Sequence, residues 1–142
     1  MSEFTNQQRK ALRKLQGRLP YCTQGIGKVE SFTLHYISFE AQARKIWHYY
    51  RCRKKVQKES KAGIPLGELI KGLKYFEIQF DNDKIHRLLD SNLRTRKRKS
   101  ARNLRNGIVH QWLEEDCKEV ETRYEEFIDC IEEFSASLGR VL

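Results

Sequence analysis

Apolar residues recur along this chain at helical spacing, and nowhere do they alternate as in a strand. The clearest run is Phe32, Tyr36, Phe39, Ala43, Ile46 and Tyr50, which steps by four and three. Steps of that kind put one apolar stripe on a helix. No Pro or Gly interrupts the run, so the pattern predicts a long helix over 28–58. A second seam, Leu113, Cys117, Val120, Tyr124, Phe127, Ile131, Phe134 and Leu138, predicts a last helix over 113–138. A seam this regular suits the inside of a bundle or a contact between two subunits.

Weaker patterns fill the rest. Leu12, Leu15 and Leu19 give a first helix over 6–16, with Arg9, Lys10, Arg13 and Lys14 outside; Pro20 to Gly27 is expected as a loop. A break at 61–65 precedes Leu66, Leu69, Ile70, Leu73, Phe76 and Phe80, which predict another helix. Asp81 or Asn82 is placed to cap a further helix carrying Ile85, Leu88, Leu89 and Leu93. If 100–112 is helical, Ala101, Leu104, Ile108 and Trp112 form its buried side. The expectation is an all-α fold in a single domain over 1–142, long enough to bury a core.

Charge changes the picture from a plain bundle to a polarised one. Residues 114–133 hold ten acidic and two basic side chains; that net of −8, in a chain of net +9, leaves +17 on the remainder. A basic body argues for anionic partners, nucleic acid first and an anionic membrane surface second. From Arg94 to Arg105, seven of twelve residues are basic. Such a run repels itself and stays out of a core. It reads as a solvated loop, a localisation-like signal or a phosphate-binding patch. The basic end of the long helix (Arg51, Arg53, Lys54, Lys55, Lys58) reads equally as a solvated helix end or an RNA-facing one.

Cys22, Cys52, Cys117 and Cys130 show no metal-type spacing, and no disulfide scaffold is expected. Reduced thiols, no apolar run of about 20 residues and no signal-peptide core predict a soluble, cytoplasmic protein.

The candidate chemistry follows the basic run directly, in Leu104-Arg105-Asn106-Gly107-Ile108-Val109-His110-Gln111-Trp112. On a helix, Asn103, Asn106 and His110 share one side. Arg105 lies about 140° from His110, with a side chain long enough to turn towards the same anion. Histidine takes and gives protons near neutral pH, and arginine offers a permanent fork to a phosphate. Cleaving RNA from its own 2′-hydroxyl needs a base, an acid and a stabilised phosphorane. One histidine supplies only half of that, and His35, His48 and His86 sit in ordinary helical contexts. A two-fold dimer brings two Arg–His pairs to one cleft, and the heptad seams offer surfaces for it.

Arg105-Asn106-x-x-x-His110 resembles the signature of the HEPN superfamily (higher eukaryotes and prokaryotes nucleotide-binding domains), an Arg, four to six residues, then a His. The motif likeness covers about a dozen residues; the helical likeness covers most of the chain. The resemblance implies a dimeric four- to five-helix bundle. It implies a metal-independent endoribonuclease, without cofactor, of the toxin, phage-defence or CRISPR-linked kind. It makes Arg105, Asn106 and His110 catalytic. Arg94, Arg96, Lys97, Arg98, Lys99 and Arg102 are then expected to hold the RNA backbone, and an antitoxin or nucleotidyltransferase-like protein is an expected partner. Some members carry a modifiable Tyr two residues after the His, where this chain has Trp112, which has no hydroxyl to modify. The alternative reading is a catalytically inactive RNA- or nucleotide-binding adaptor or partner subunit. A DNA-binding role finds no helix-turn-helix to support it.

Overall fold

A computed structural model describes residues 3–22, 25–54, 63–90 and 99–142, with the side chains of 18–22 left out. Among the described residues all regular structure is helical: α1 (Asn6–Cys22), α2 (Lys28–Lys54), α3 (Leu66–Tyr75), α4 (Asn82–Leu89), α5 (Ala101–Gln111), α6 (Glu114–Thr122) and α7 (Tyr124–Gly139). None of these helices is long and apolar enough to cross a membrane.

α2 is the central element, packed against α1, α3, α5, α6 and α7. Its stripe is spent on the core as its spacing requires. Phe32, Tyr36, Phe39, Ala43 and Ile46 are fully buried. The last seam is internal too. Val120, Phe127, Ile131, Phe134 and Leu138 are buried, with Phe127 against Phe32 and Phe134 edge-on to Phe39 and Phe80. That removes this seam, and the stripe of α2, as dimer surfaces.

α1 runs antiparallel to α2. Phe4, just before α1, stacks on Phe76 and lies edge-on to Tyr49 near the far end of α2. Further along α1, the Gln16 amide donates to Gln42 Oε1 (3.2 Å) and to the Ser135 carbonyl (2.9 Å). α5 begins with Arg102 close against Gly63 and reaches Glu40 by Arg105.

Several boundaries differ from the sequence reading. α1 continues to Cys22, because Pro20 forfeits its own N–H bond without stopping the final turn. α3 ends at Tyr75, short of Phe80. Glu77 adopts φ 59, and its N–H donates to Lys74 O (3.1 Å) while Ile78 N–H donates to Leu73 O (2.8 Å). This left-handed cap, ordinarily a glycine, turns the chain so that Phe80 enters the core from a link. Asp81 caps α4, accepting from Asp83 N–H at 2.9 Å.

The expected last helix is divided at Arg123 (φ −103, ψ 17). This buried guanidinium donates to Glu126 (3.2 and 3.3 Å), to Glu119 (3.3 Å) and to the Lys99 carbonyl (2.8 Å), and lies over the Phe127 ring. Drawing Arg123 inward breaks helical phase for one residue and ties the acidic helices to the start of α5. Burial pushes the thiols of Cys117 and Cys130 up, which suits their role as packing groups.

Candidate functional site

Ser100 starts α5. Its hydroxyl accepts from the Asn103 N–H (3.2 Å). Ala101, Leu104 and Ile108 then seat the helix in the core. Gly107 is needed for close approach, since a Cβ there would run into the buried Asp116 carboxylate of α6. The helix is thus pinned on both sides, and the directions of its polar side chains are set by that seating.

Arg105 points inward. Its Nη2 lies 3.2 Å from Glu40 Oε2, with the two side chains 18% and 20% exposed. The guanidinium carbon sits 5.2 Å from the centre of the Tyr36 ring. Glu40 also faces Arg44 at 3.8 Å. Burial, and secondarily the Glu40 charge, pushes the Tyr36 phenol well up, so it stays protonated; Arg105 opposes this. The Arg105 Nε and the Tyr36 hydroxyl are buried without a hydrogen-bond partner among the described residues.

His110 is exposed in the last turn of α5, and Asn106 is half-buried one turn before it. His110 lies five positions after Arg105, about 7.5 Å along the axis and 140° around it. Within one chain, then, the guanidinium turns to α2 and the imidazole to solvent. The arginine meets Glu40 rather than sharing an open face with the histidine. Glu40 and Tyr36 are the partners that sequence reasoning missed. Tyr36 registers only as a core position of α2 and Glu40 as a polar one. No local signal links either to a residue on another helix.

Trp112 corrects a second expectation. Placed on the buried stripe by its spacing, it is 67% exposed. α5 stops at Gln111, and Trp112 adopts φ 51, ψ 47, its N–H donating to Ile108 O (3.0 Å). That left-handed residue leaves helical phase and swings the indole out. A bulky side chain there costs on the order of 1 kcal/mol relative to glycine. In the monomeric chain, Trp112→Gly should therefore hold or raise stability, by up to about 1 kcal/mol. A lowered thermal midpoint would mean that the indole packs more than its exposure implies.

Of the expected backbone-binding residues, Arg94, Arg96, Lys97 and Arg98 lie outside the described residues. Lys99 is already engaged, its Nζ 2.8 Å from Asp116 Oδ1. Arg102 is half-buried beside Gly63. A cavity of about 230 Å³ between α5 and α6 is lined by Lys99, Leu104, Glu115, Asp116 and Glu119, not by the Arg105–His110 pair. Among the described residues no group of three or more His, Cys, Asp or Glu side chains is arranged to hold a metal ion. His35 is structural, its Nδ1 2.8 Å from the Ser31 carbonyl.

Compared with protein-family models, with curated proteins and with solved structures, the chain matches none.

Proposed function

We propose that the chain is a HEPN-type, metal-independent endoribonuclease acting on single-stranded RNA in the cytoplasm as a homodimer, in a toxin, phage-defence or CRISPR-linked setting. The observation that carries this reading is the disposition of Arg105-Asn106-x-x-x-His110 on one short, firmly seated helix. The arginine is held in place by Glu40 and Tyr36, and the histidine is presented to solvent.

In the proposed reaction the ribose 2′-hydroxyl gives up its proton and bonds to the adjacent phosphorus. The bond from phosphorus to the 5′-oxygen breaks, and that oxygen is protonated as it leaves. The products are a 2′,3′-cyclic phosphate and a 5′-hydroxyl. His110 of one copy takes the first proton and its counterpart supplies the second. Arg105 balances the charge on the phosphorane, and Asn106 positions it.

Two copies must then meet along α5, since the regular seams are used inside each chain. Val109, Trp112 and Ile37 are exposed apolar residues. Val109 and Trp112 flank His110, and Ile37 lies one turn from Glu40, so they supply the contact this reading needs. An antitoxin or nucleotidyltransferase-like partner would address the same face.

The Glu40 pair favours one second reading. A guanidinium already neutralised by a carboxylate suits an inactive nucleotide- or RNA-binding module, in which Arg105 is structural. Incubating the purified protein with single-stranded RNA in EDTA separates the two. The nuclease reading expects cleavage that persists in EDTA and leaves cyclic-phosphate ends; intact RNA, or cleavage only on adding a divalent metal, would sink it.

A further inference from the structure

Viewed down its axis, α2 has two marked contact lines. Gln42, Tyr49 and Arg53 meet α1 and the segment before it, Arg53 donating to the Glu3 carbonyl. Tyr36 and Glu40 meet Arg105 of α5. At 100° per residue, the sector between those lines on the side away from the core includes Glu30 in the first turn and, beyond it, Ile37, Ala41, Arg44, Lys45, His48 and Cys52. Ile37, Arg44, His48 and Cys52 are exposed and Ala41 and Lys45 half-buried, so none of the described helices covers this stretch. Beyond Glu30, this stretch contains no acidic side chain.

α1, packed alongside, continues the same chemistry. Its 17 residues include no Asp or Glu, and Lys10, Arg13 and Lys14 are exposed. No ion pair among the described residues engages Lys10, Arg13, Lys14 or Lys45. Many of the exposed acids lie instead on α6 and α7, among them Glu121, Glu125, Asp129 and Glu132, while Glu3 and Glu30 are exposed near this face. A face on which cations outnumber acids, most of them in no ion pair among the described residues, fits a polyanion. A lipid surface fits it less well. The helix that binds a bilayer lays an apolar side into it, and the apolar side of α1 is already closed, with Leu12 fully buried. Arg44 links this sector to the site by sharing Glu40 with Arg105.

We infer that the uncovered sector of α2 and the outer face of α1 form a track for the phosphate backbone of single-stranded RNA, leading to Arg105. The choice of RNA rests on the nuclease reading; the electrostatic track does not. Binding is therefore measured apart from cleavage, in the His110→Ala protein, by anisotropy of a fluorescein-labelled oligouridylate over a KCl series. Each neutralised single-strand contact contributes about 0.7 to the slope of log affinity against log salt. Lys10→Gln/Arg13→Gln/Lys14→Gln should lower that slope by about 2, and Arg44→Gln/Lys45→Gln by about 1.4. Each set should weaken binding roughly tenfold or more near 0.1 M salt. Lys118→Gln, on the acidic α6, should change neither. Unchanged slopes in folded variants overturn the track, as does loss of binding confined to phosphatidylserine vesicles. Weakened RNA binding with no cleavage by the wild-type protein keeps the track and removes the nuclease; cleavage with unchanged slopes does the reverse.

Discussion

Replacing His110 by alanine should cut RNA cleavage by about 10²- to 10⁴-fold, the usual contribution of a positioned acid–base group, while leaving thermal unfolding where it was. The side chain is exposed at the end of α5 and fills no part of the core, and surface changes of this kind stay within about 0.5 kcal/mol. Arg105→Ala should behave differently. Its guanidinium holds Glu40 and covers the ring of Tyr36, so its removal should lower both activity and stability, leaving a largely buried carboxylate with Arg44 as its remaining ion-pair partner among the described residues. Arg105→Lys separates charge from geometry, because lysine keeps the cation without the planar fork. Cleavage by His110→Ala at the wild-type rate would remove His110 from the mechanism.

Phe134→Ala should destabilise the chain by about 3–5 kcal/mol, the range for emptying a fully buried aromatic site. Its ring is completely buried and edge-on to Phe39 of α2 (centroids 4.9 Å apart) and to Phe80 of the link after α3 (5.4 Å). The loss is a large part of the roughly 5–15 kcal/mol that holds a domain folded. Urea unfolding should show a lower midpoint with the slope retained. The shift should not depend on protein concentration, because Phe134 packs within one chain. A concentration-dependent shift would place the seam at a subunit contact.

The long amphipathic faces were legible. The stripe of α2 and the seam of the last two helices are buried as their spacing requires, since periodicity reports which side of a helix avoids water. It does not report what that side meets, so whether the seam lay within or between chains was open until Phe134 was seen against Phe39. Helix ends were legible where the capping residue has the usual chemistry, as at Asp81. They were not where Glu77 and Trp112 hold left-handed conformations that a sequence signals with glycine. The site divides in the same way. His110 and Arg105 could be named as candidates from their spacing, whereas Glu40 reaches Arg105 only through the packing of α5 on α2. Arg123, read as one of two cations in an acidic stretch, proved to be a buried joint whose partners lie on three segments.

The Glu40–Arg105 contact also bears on entropy. A free arginine side chain carries about 2 kcal/mol of rotamer freedom. Glu40 on one side and the Tyr36 ring beneath restrict that freedom during folding. On the nuclease reading, an incoming phosphate would meet a guanidinium that is already oriented, and would lose less affinity to ordering than at a mobile surface arginine. What it must overcome is enthalpic, the exchange of one carboxylate for another oxyanion.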